Sequence, residues 1–197
     1  MLYKISEKIV ASIFDKDDEN LDEYIYGLEL FFCSALCTVL MVIIGFLTNM
    51  LVESVVFMIS FSVLRVFSGG YHSNSFLICN ITTLLIYGVN ILLYKHLFNY
   101  IVTPFVYIAV FSITVIMVVW FSPVENDNNP LEDNESVRCK IKACIVTVVE
   151  ISIFFLLFYV LKFKSIAIII PTLLFVDILI VLGLLKSIKK GGREYGK

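Results

Sequence analysis

Long apolar runs separated by short polar stretches make up most of this chain. A bilayer core about 30 Å thick is crossed by roughly 20 helical residues, and six runs approach or reach that length. The pattern predicts an all-α integral membrane protein with six transmembrane helices, at Leu28–Leu47, Leu51–Phe67, Phe76–Tyr94, Tyr100–Phe121, Ile141–Leu161 and Ile166–Leu185. The second run is short and carries Arg65 near its end, so it could be tilted, interrupted or partly re-entrant rather than a plain span.

The segments outside these runs are short, and no internal repeat is visible, so residues 1–197 are expected to form a single membrane domain. Within residues 1–20, apolar positions recur at helical spacing opposite Lys4, Glu7 and Lys8, which favours an amphipathic helix. It could lie in the membrane interface or pack on the protein's own cytoplasmic face. Residues 122–140 are expected to form a polar loop, and residues 186–197 a basic tail in which two glycines end any helix.

The basic residues predict how the spans are oriented, because lysine and arginine accumulate in cytoplasmic segments. With both termini inside, twelve of the fifteen basic residues are cytoplasmic, and only Lys95, Lys162 and Lys164 lie outside. The composition agrees with a membrane location, since 59% of residues are hydrophobic, 16% are charged and the mean hydropathy is +0.94. No secretory signal peptide, disulfide framework or nucleic-acid-binding surface is expected.

One polar stretch, Arg65 to Cys79, lies between two apolar runs and holds the residues with chemical potential. A cysteine attacks a carbonyl as its thiolate and needs a base or a positive charge beside it. His72 and Cys79 could form such a pair, but seven residues of straight helix would separate them by about 10 Å. Gly69 and Gly70 supply a break that could turn His72 back toward Cys79, and Ser73, Asn74 or Ser75 could cap the following helix.

Several other polar residues allow either a functional or a purely structural interpretation. Arg65 could hold a carboxylate or phosphate, or anchor the second span at the headgroups. Arg138, Lys140 and Lys142 could dock a charged substrate segment, or anchor a solvated loop. Asp177, inside the sixth run, could be a cavity or proton-relay group, although an interhelical hydrogen bond to a serine or threonine is slightly favoured. Cys33 and Cys37 are read as core residues, and no metal or other cofactor is expected.

The combination Arg65-x3-Gly69-Gly70-x-His72-x6-Cys79, after two apolar runs, resembles the signature of the accessory gene regulator B membrane peptidases. The segment Ser122-Pro123-Val124-Glu125 with Asn129-Pro130-Leu131 resembles the polar segment after the family's fourth span. The length, the six spans and the amphipathic N-terminal segment agree across nearly the whole chain.

This resemblance implies a membrane cysteine endopeptidase of a Gram-positive quorum-sensing system, with its active site at the cytoplasmic face. The implied substrate is a membrane-associated propeptide of the AgrD type, cleaved through a Cys79 thioester and cyclised to a thiolactone or lactone. His72 matches the catalytic base and Cys79 the nucleophile, with Arg65 and Gly70 in supporting positions. A homodimer is also implied.

Two matters stay open from the residues alone. No orienting third catalytic residue is evident, and Ser68, Asn74, Asn80 and Glu53 are candidates only. The alternative function is that of a small membrane transporter or peptide exporter, in which Arg65, His72 and Asp177 would line a pathway. The absence of an inverted repeat argues against it.

Overall fold

The computed structural model describes residues 2–13, 21–71, 76–124 and 133–194. Helices account for nearly all of them, and no β-strand occurs within these ranges. A π-helical turn at Leu156–Val160 and a 3₁₀ turn at Lys164–Ile168 connect the last two spans. The α-helices are α1 Leu2–Ile13, α2 Leu21–Leu47, α3 Leu51–Ser68, α4 Phe76–Ile101, α5 Pro104–Phe121, α6 Asp133–Phe155 and α7 Ile169–Glu194.

Six helices, α2 to α7, are long and apolar enough to cross a membrane, which confirms the expected number of spans. The second span, α3, is one uninterrupted helix. The helices α4 and α5 are separated at residues 102 and 103, and Pro104 occupies the start of α5, where its missing N–H is not needed. The orientation of the termini relative to a membrane stays a prediction.

Four helices extend well beyond the limits expected from the sequence, since α2 begins at Leu21 rather than Leu28, α4 ends at Ile101 rather than Tyr94, and α6 and α7 are also longer. The helix α6 starts at Asp133, so residues 133–140 of the expected polar loop are helical; acidic side chains favour the first turn because they complement the helix dipole. The expectation that Gly191 and Gly192 end the last helix is wrong, since α7 continues to Glu194. Each glycine costs only about 1 kcal/mol relative to alanine inside a helix.

The last span, α7, forms the centre of the bundle. It packs against α3, α4 and α5, and 61% of its apolar window is buried, compared with 33% or less for every other span. The side chains that contribute most to this core are fully or nearly fully buried, among them Ile168, Ile170, Leu173, Val176 and Ile180. The other spans therefore expose most of their apolar surface outward, as lipid-facing helices do.

Buried polar side chains join the spans within this core. Thr114 on α5 donates a hydrogen bond to Oδ2 of Asp177 on α7 at 2.7 Å, which is the interhelical contact favoured for Asp177. On α4, Asn90 donates to Thr172 Oγ1 on α7 at 3.1 Å. Tyr87 on α4 donates to the Met41 carbonyl on α2 at 3.0 Å. These contacts satisfy polar groups that water cannot reach.

The N-terminal helix α1 packs against α2, and this contact buries Ser6 and Val10. Other apolar side chains of this helix are exposed, with Tyr3 at 51%, Ile5 at 40% and Ile13 at 68% of full exposure. A helix therefore forms where the sequence predicts one. Its position in the membrane interface stays a prediction.

Candidate active site at the end of the second span

The double glycine makes a sharp turn at the end of α3. Gly69 has φ +69° and Gly70 has φ +120°, values that side-chain-bearing residues rarely adopt. The Gly69 N–H still donates to the Arg65 carbonyl at 3.1 Å, so the helix is closed before the chain turns. The special backbone conformation expected of these two glycines is confirmed.

The segment that follows α5 holds this turn from one side. Val124 N–H and Ser122 Oγ both donate to the Ser68 carbonyl, at 3.0 and 3.1 Å, and Gly69 pairs with Val124 as an isolated parallel bridge. A Cβ on Gly69 would overlap the Val124 carbonyl oxygen. Close backbone approach therefore requires glycine here, in addition to the unusual φ.

The helix α7 holds the turn from the other side. Tyr71 N–H donates to the Leu179 carbonyl at 2.8 Å. Gly70 is buried against the same turn of α7, where an added Cβ would lie 3.2 Å from the Leu179 oxygen. The Tyr71 carbonyl accepts a hydrogen bond from Arg65 Nη2 at 2.6 Å. Both backbone polar groups of Tyr71, its N–H and its carbonyl, are therefore hydrogen-bonded.

Arg65 connects this turn to the cysteine on the next helix. Its guanidinium lies over the Phe61 ring at 5.5 Å and is close enough to the Cys79 side chain for an electrostatic interaction. Cys79 is partly buried in the first turn of α4. Arg65 therefore lies between the Tyr71 carbonyl and the Cys79 side chain, and its part in any chemistry stays a prediction.

A second thiol lies close to Cys79. Cys37 on α2 donates to the Asn80 carbonyl with a sulfur-to-oxygen distance of 3.8 Å, and its side chain interacts electrostatically with that of Cys79. All five cysteines are free. Within the described ranges, no group of three or more His, Cys, Asp or Glu side chains is arranged to hold a metal ion.

Further basic side chains gather at the same end of the bundle. Lys142 Nζ lies 5.5 Å from the centre of the Phe67 ring, and Lys186 Nζ lies 5.4 Å from that of the Tyr71 ring. Arg138 and Lys140 are exposed one turn or less before Lys142 on α6. Basic side chains from α3, α6 and α7 thus lie at the end of the bundle that holds the turn and Cys79.

The structure places part of the sequence-predicted site. Arg65, Gly69, Gly70 and Cys79 are brought together, whereas His72 and Asn74 lie outside the described residues, so the His72–Cys79 contact stays a prediction. Glu53 accepts a hydrogen bond from Ser165 at 2.7 Å, about 18 Å along α3 from Arg65 by helical rise, which removes it as an orienting group.

Sequence reasoning missed the residues that hold the turn. Tyr71 and Leu179 give no polar or motif signal of this role, and Leu179 contributes only its backbone carbonyl. Ser122 and Val124 were noticed as part of a family segment but not as partners of the double glycine.

Comparison with known proteins assigns the chain to a family. The family model of accessory gene regulator B matches residues 2–184. The chain belongs to the AgrB family. An AgrB-like protein of Clostridium perfringens (strain SM101 / Type A) is 30% identical over 138 residues, which cover 68% of this chain and 64% of that protein. AgrB-like protein 2 of Clostridium perfringens (strain 13 / Type A) is 27% identical over 138 residues, with the same coverage of 68% and 64%.

The matched part spans slightly less than two thirds of the two relatives. No solved structure matches the chain. The arrangement around Arg65 and Cys79 is therefore interpreted from its own geometry.

Proposed function

We propose that the chain is a membrane cysteine endopeptidase that removes the C-terminal tail of an AgrD-type propeptide and couples this cleavage to ring closure. The observation that carries the proposal is the position of Arg65, which is hydrogen-bonded to the Tyr71 carbonyl beside the double-glycine turn and is close enough to Cys79 to interact with it electrostatically. A positive charge next to a partly buried cysteine at the end of a helical bundle is the setting in which a thiol becomes a nucleophile.

In the proposed reaction, the Cys79 thiolate attacks the carbonyl at the C-terminal end of the future ring. His72 accepts the thiol proton and gives it to the leaving amine, so the C–N bond breaks and the tail departs. The remaining peptide stays on Cys79 as a thioester. A cysteine or serine side chain within that peptide then attacks the thioester, which forms the thiolactone or lactone and releases the Cys79 sulfur.

The thioester makes this second step chemically reasonable. It retains the acyl-transfer potential of the enzyme-bound peptide, whereas hydrolysis would discard it. Water must therefore be kept from the acyl-enzyme. The packing of the turn between the α5 end and α7 supports this requirement, because Ser68 and Gly70 are buried there.

The basic side chains at the same end suggest how the propeptide binds. Arg138, Lys140 and Lys142 are exposed on the first part of α6, and we propose that they attract an acidic C-terminal tail of the substrate. Their position beside Arg65 and Lys186 also favours the cytoplasmic face for this end, since basic residues stay on that side. The homodimer that the family resemblance implies is part of the proposal.

The test is cleavage of a candidate propeptide, taken from the neighbouring reading frame, by the protein in liposomes. Replacing Cys79 or His72 by alanine should abolish tail release and the thioester adduct, which intact-mass spectrometry detects. Cys144→Ala is the matched control, because Cys144 is also a free, partly buried thiol but lies on α6. Cleavage that persists in the Cys79→Ala protein would reject Cys79 as the nucleophile. Propeptide transport by the unchanged protein without any cleavage would favour the transporter.

A further inference from the structure

Gly183 on α7 lies where three segments of the site meet. A Cβ at this position would be 2.8 Å from both the Gly70 carbonyl carbon and the Tyr71 nitrogen, and 3.0 Å from Val124 Cγ1. Two of these atoms are backbone, and contacts shorter than 3.0 Å force a displacement. Any side chain at residue 183 must therefore push the turn away from α7 or break its contacts.

The absence of a side chain at this position also leaves a helix carbonyl accessible. In an α-helix, the Leu179 carbonyl already accepts the N–H of the residue four positions later, which is Gly183. It accepts a second hydrogen bond from Tyr71 N–H, at 2.8 Å. The bare backbone at Gly183 allows the Tyr71 peptide to approach this carbonyl from the side.

The Tyr71 backbone links α7 to Arg65, which lies near the reactive cysteine. Its N–H is held by α7, and its carbonyl accepts the 2.6 Å hydrogen bond from Arg65 Nη2. The same guanidinium interacts with Cys79. Hydrogen bonds thus connect α7 through the Tyr71 peptide to Arg65, whose charge lies near the Cys79 side chain.

We propose that Gly183 is a positioning residue of the active site, which seats the Tyr71 peptide on α7 and thereby holds the Arg65 guanidinium beside Cys79. Gly183 contacts no reacting atom in this role. The inference rests on the proposed function of Cys79 as the nucleophile. It extends the site to the last span, which carries none of the residues of the sequence signature.

The experiment measures how fast a small alkylating reagent modifies Cys79, followed for that residue alone by peptide mass spectrometry of the full-length protein in liposomes. Gly183→Ala should slow modification at pH 7 by about 5- to 30-fold, the equilibrium factor for losing one or two hydrogen-bonded contacts. Arg65→Gln removes the charge itself and is the reference variant. It should slow Cys79 alkylation at least as much as Gly183→Ala does.

Two glycines provide matched controls. Nothing lies within 4 Å of a Cβ built on Gly27 or Gly88, so alanine at either position should leave the Cys79 alkylation rate within about two-fold of the unchanged protein. Alanine stabilises a helix by about 1 kcal/mol relative to glycine. Slower Cys79 alkylation in the Gly183→Ala protein therefore cannot be explained by a weakened α7 helix. In the propeptide assay, Gly183→Ala should lower kcat and leave the half-saturating propeptide concentration unchanged.

A milder variant guards against a Gly183→Ala protein that fails to fold. Ser122→Ala removes only one of the two hydrogen bonds to the Ser68 carbonyl and should slow Cys79 alkylation by about two- to five-fold. Unchanged alkylation in folded Gly183→Ala protein, or in Ser122→Ala protein if the former does not fold, overturns the positioning role. An alkylation rate that Arg65→Gln does not alter also overturns it.

The alkylation readout needs no propeptide. If the unchanged protein cleaves no propeptide while Gly183→Ala still slows alkylation, the proposed function fails and the seating of Tyr71 on α7 stands.

Discussion

The hydrogen bond between Thr114 and Asp177 provides a measure of how strongly polar contacts hold this bundle together. Thr114 is fully buried and Asp177 is 5% exposed, and Asp177 Oδ1 has no hydrogen-bond partner in the described part of the chain. Thr114→Val removes the donor with little change in shape. Both carboxyl oxygens of Asp177 would then lack a partner.

The expected loss follows from the environment of the pair. Interhelical hydrogen bonds in membrane proteins contribute about 0.6 kcal/mol on average and up to about 1.7 kcal/mol. Leaving a buried polar group unpaired costs about 1–3 kcal/mol. We therefore expect Thr114→Val to lower the free energy of unfolding by about 1–2 kcal/mol.

A double-mutant cycle measured by unfolding in detergent tests this value. In the Asp177→Ala background, the same Thr114→Val change should cost about 0.5 kcal/mol or less, since the partner is already absent. Thr147→Val is the matched control, because Thr147 is equally buried but donates only to the Ala143 carbonyl of its own helix, at 2.9 Å. Equal costs for Thr114→Val in both backgrounds would refute the reasoning.

Three further changes test the site and the bundle. Gly69→Ala should reduce cleavage by about 5- to 150-fold, the factor for about 1–3 kcal/mol of backbone strain, while Gly88→Ala retains it; a Gly69→Ala protein of normal activity would exclude a strict glycine requirement. Replacing the three basic residues at the start of α6 by glutamate should raise the propeptide concentration for half-maximal cleavage; an unchanged value contradicts tail docking. Tyr87→Phe removes hydrogen bonds to Ser54 at 2.6 Å and Met41 at 3.0 Å, and should lower the unfolding free energy by about 1–2 kcal/mol; a thermal midpoint identical to that of the unchanged protein would argue against this contribution.

The spans could be predicted because their apolar character is a local property of the sequence. The helix limits were harder to place for an equally local reason. An acidic residue such as Asp133 is common both in loops and at the start of a helix. The glycines near the end of α7 are compatible both with a flexible tail and with a helix that continues. Periodicity alone does not separate these alternatives.

The candidate site could be predicted only in part. Arg65, Gly69, Gly70 and Cys79 are close in sequence and chemically distinctive, so their pattern is readable. Gly183 lies more than 100 residues away within an apolar run, and its importance depends on which backbone passes beside it. Likewise, Thr114 could not be selected as the partner of Asp177 from among the many hydroxyl groups of the other spans.

The burial of α7 has a consequence for the order of biosynthesis. Chains emerge from the ribosome with their N-terminal parts first, so α2 to α6 enter the membrane before the helix around which they pack. Arg65 and Cys79 are then already present, but the Leu179 carbonyl that holds Tyr71 has yet to be made. A nascent chain therefore holds Arg65 and Cys79 in an unassembled arrangement until α7 is inserted, and on the proposed function cleavage can begin only after that step.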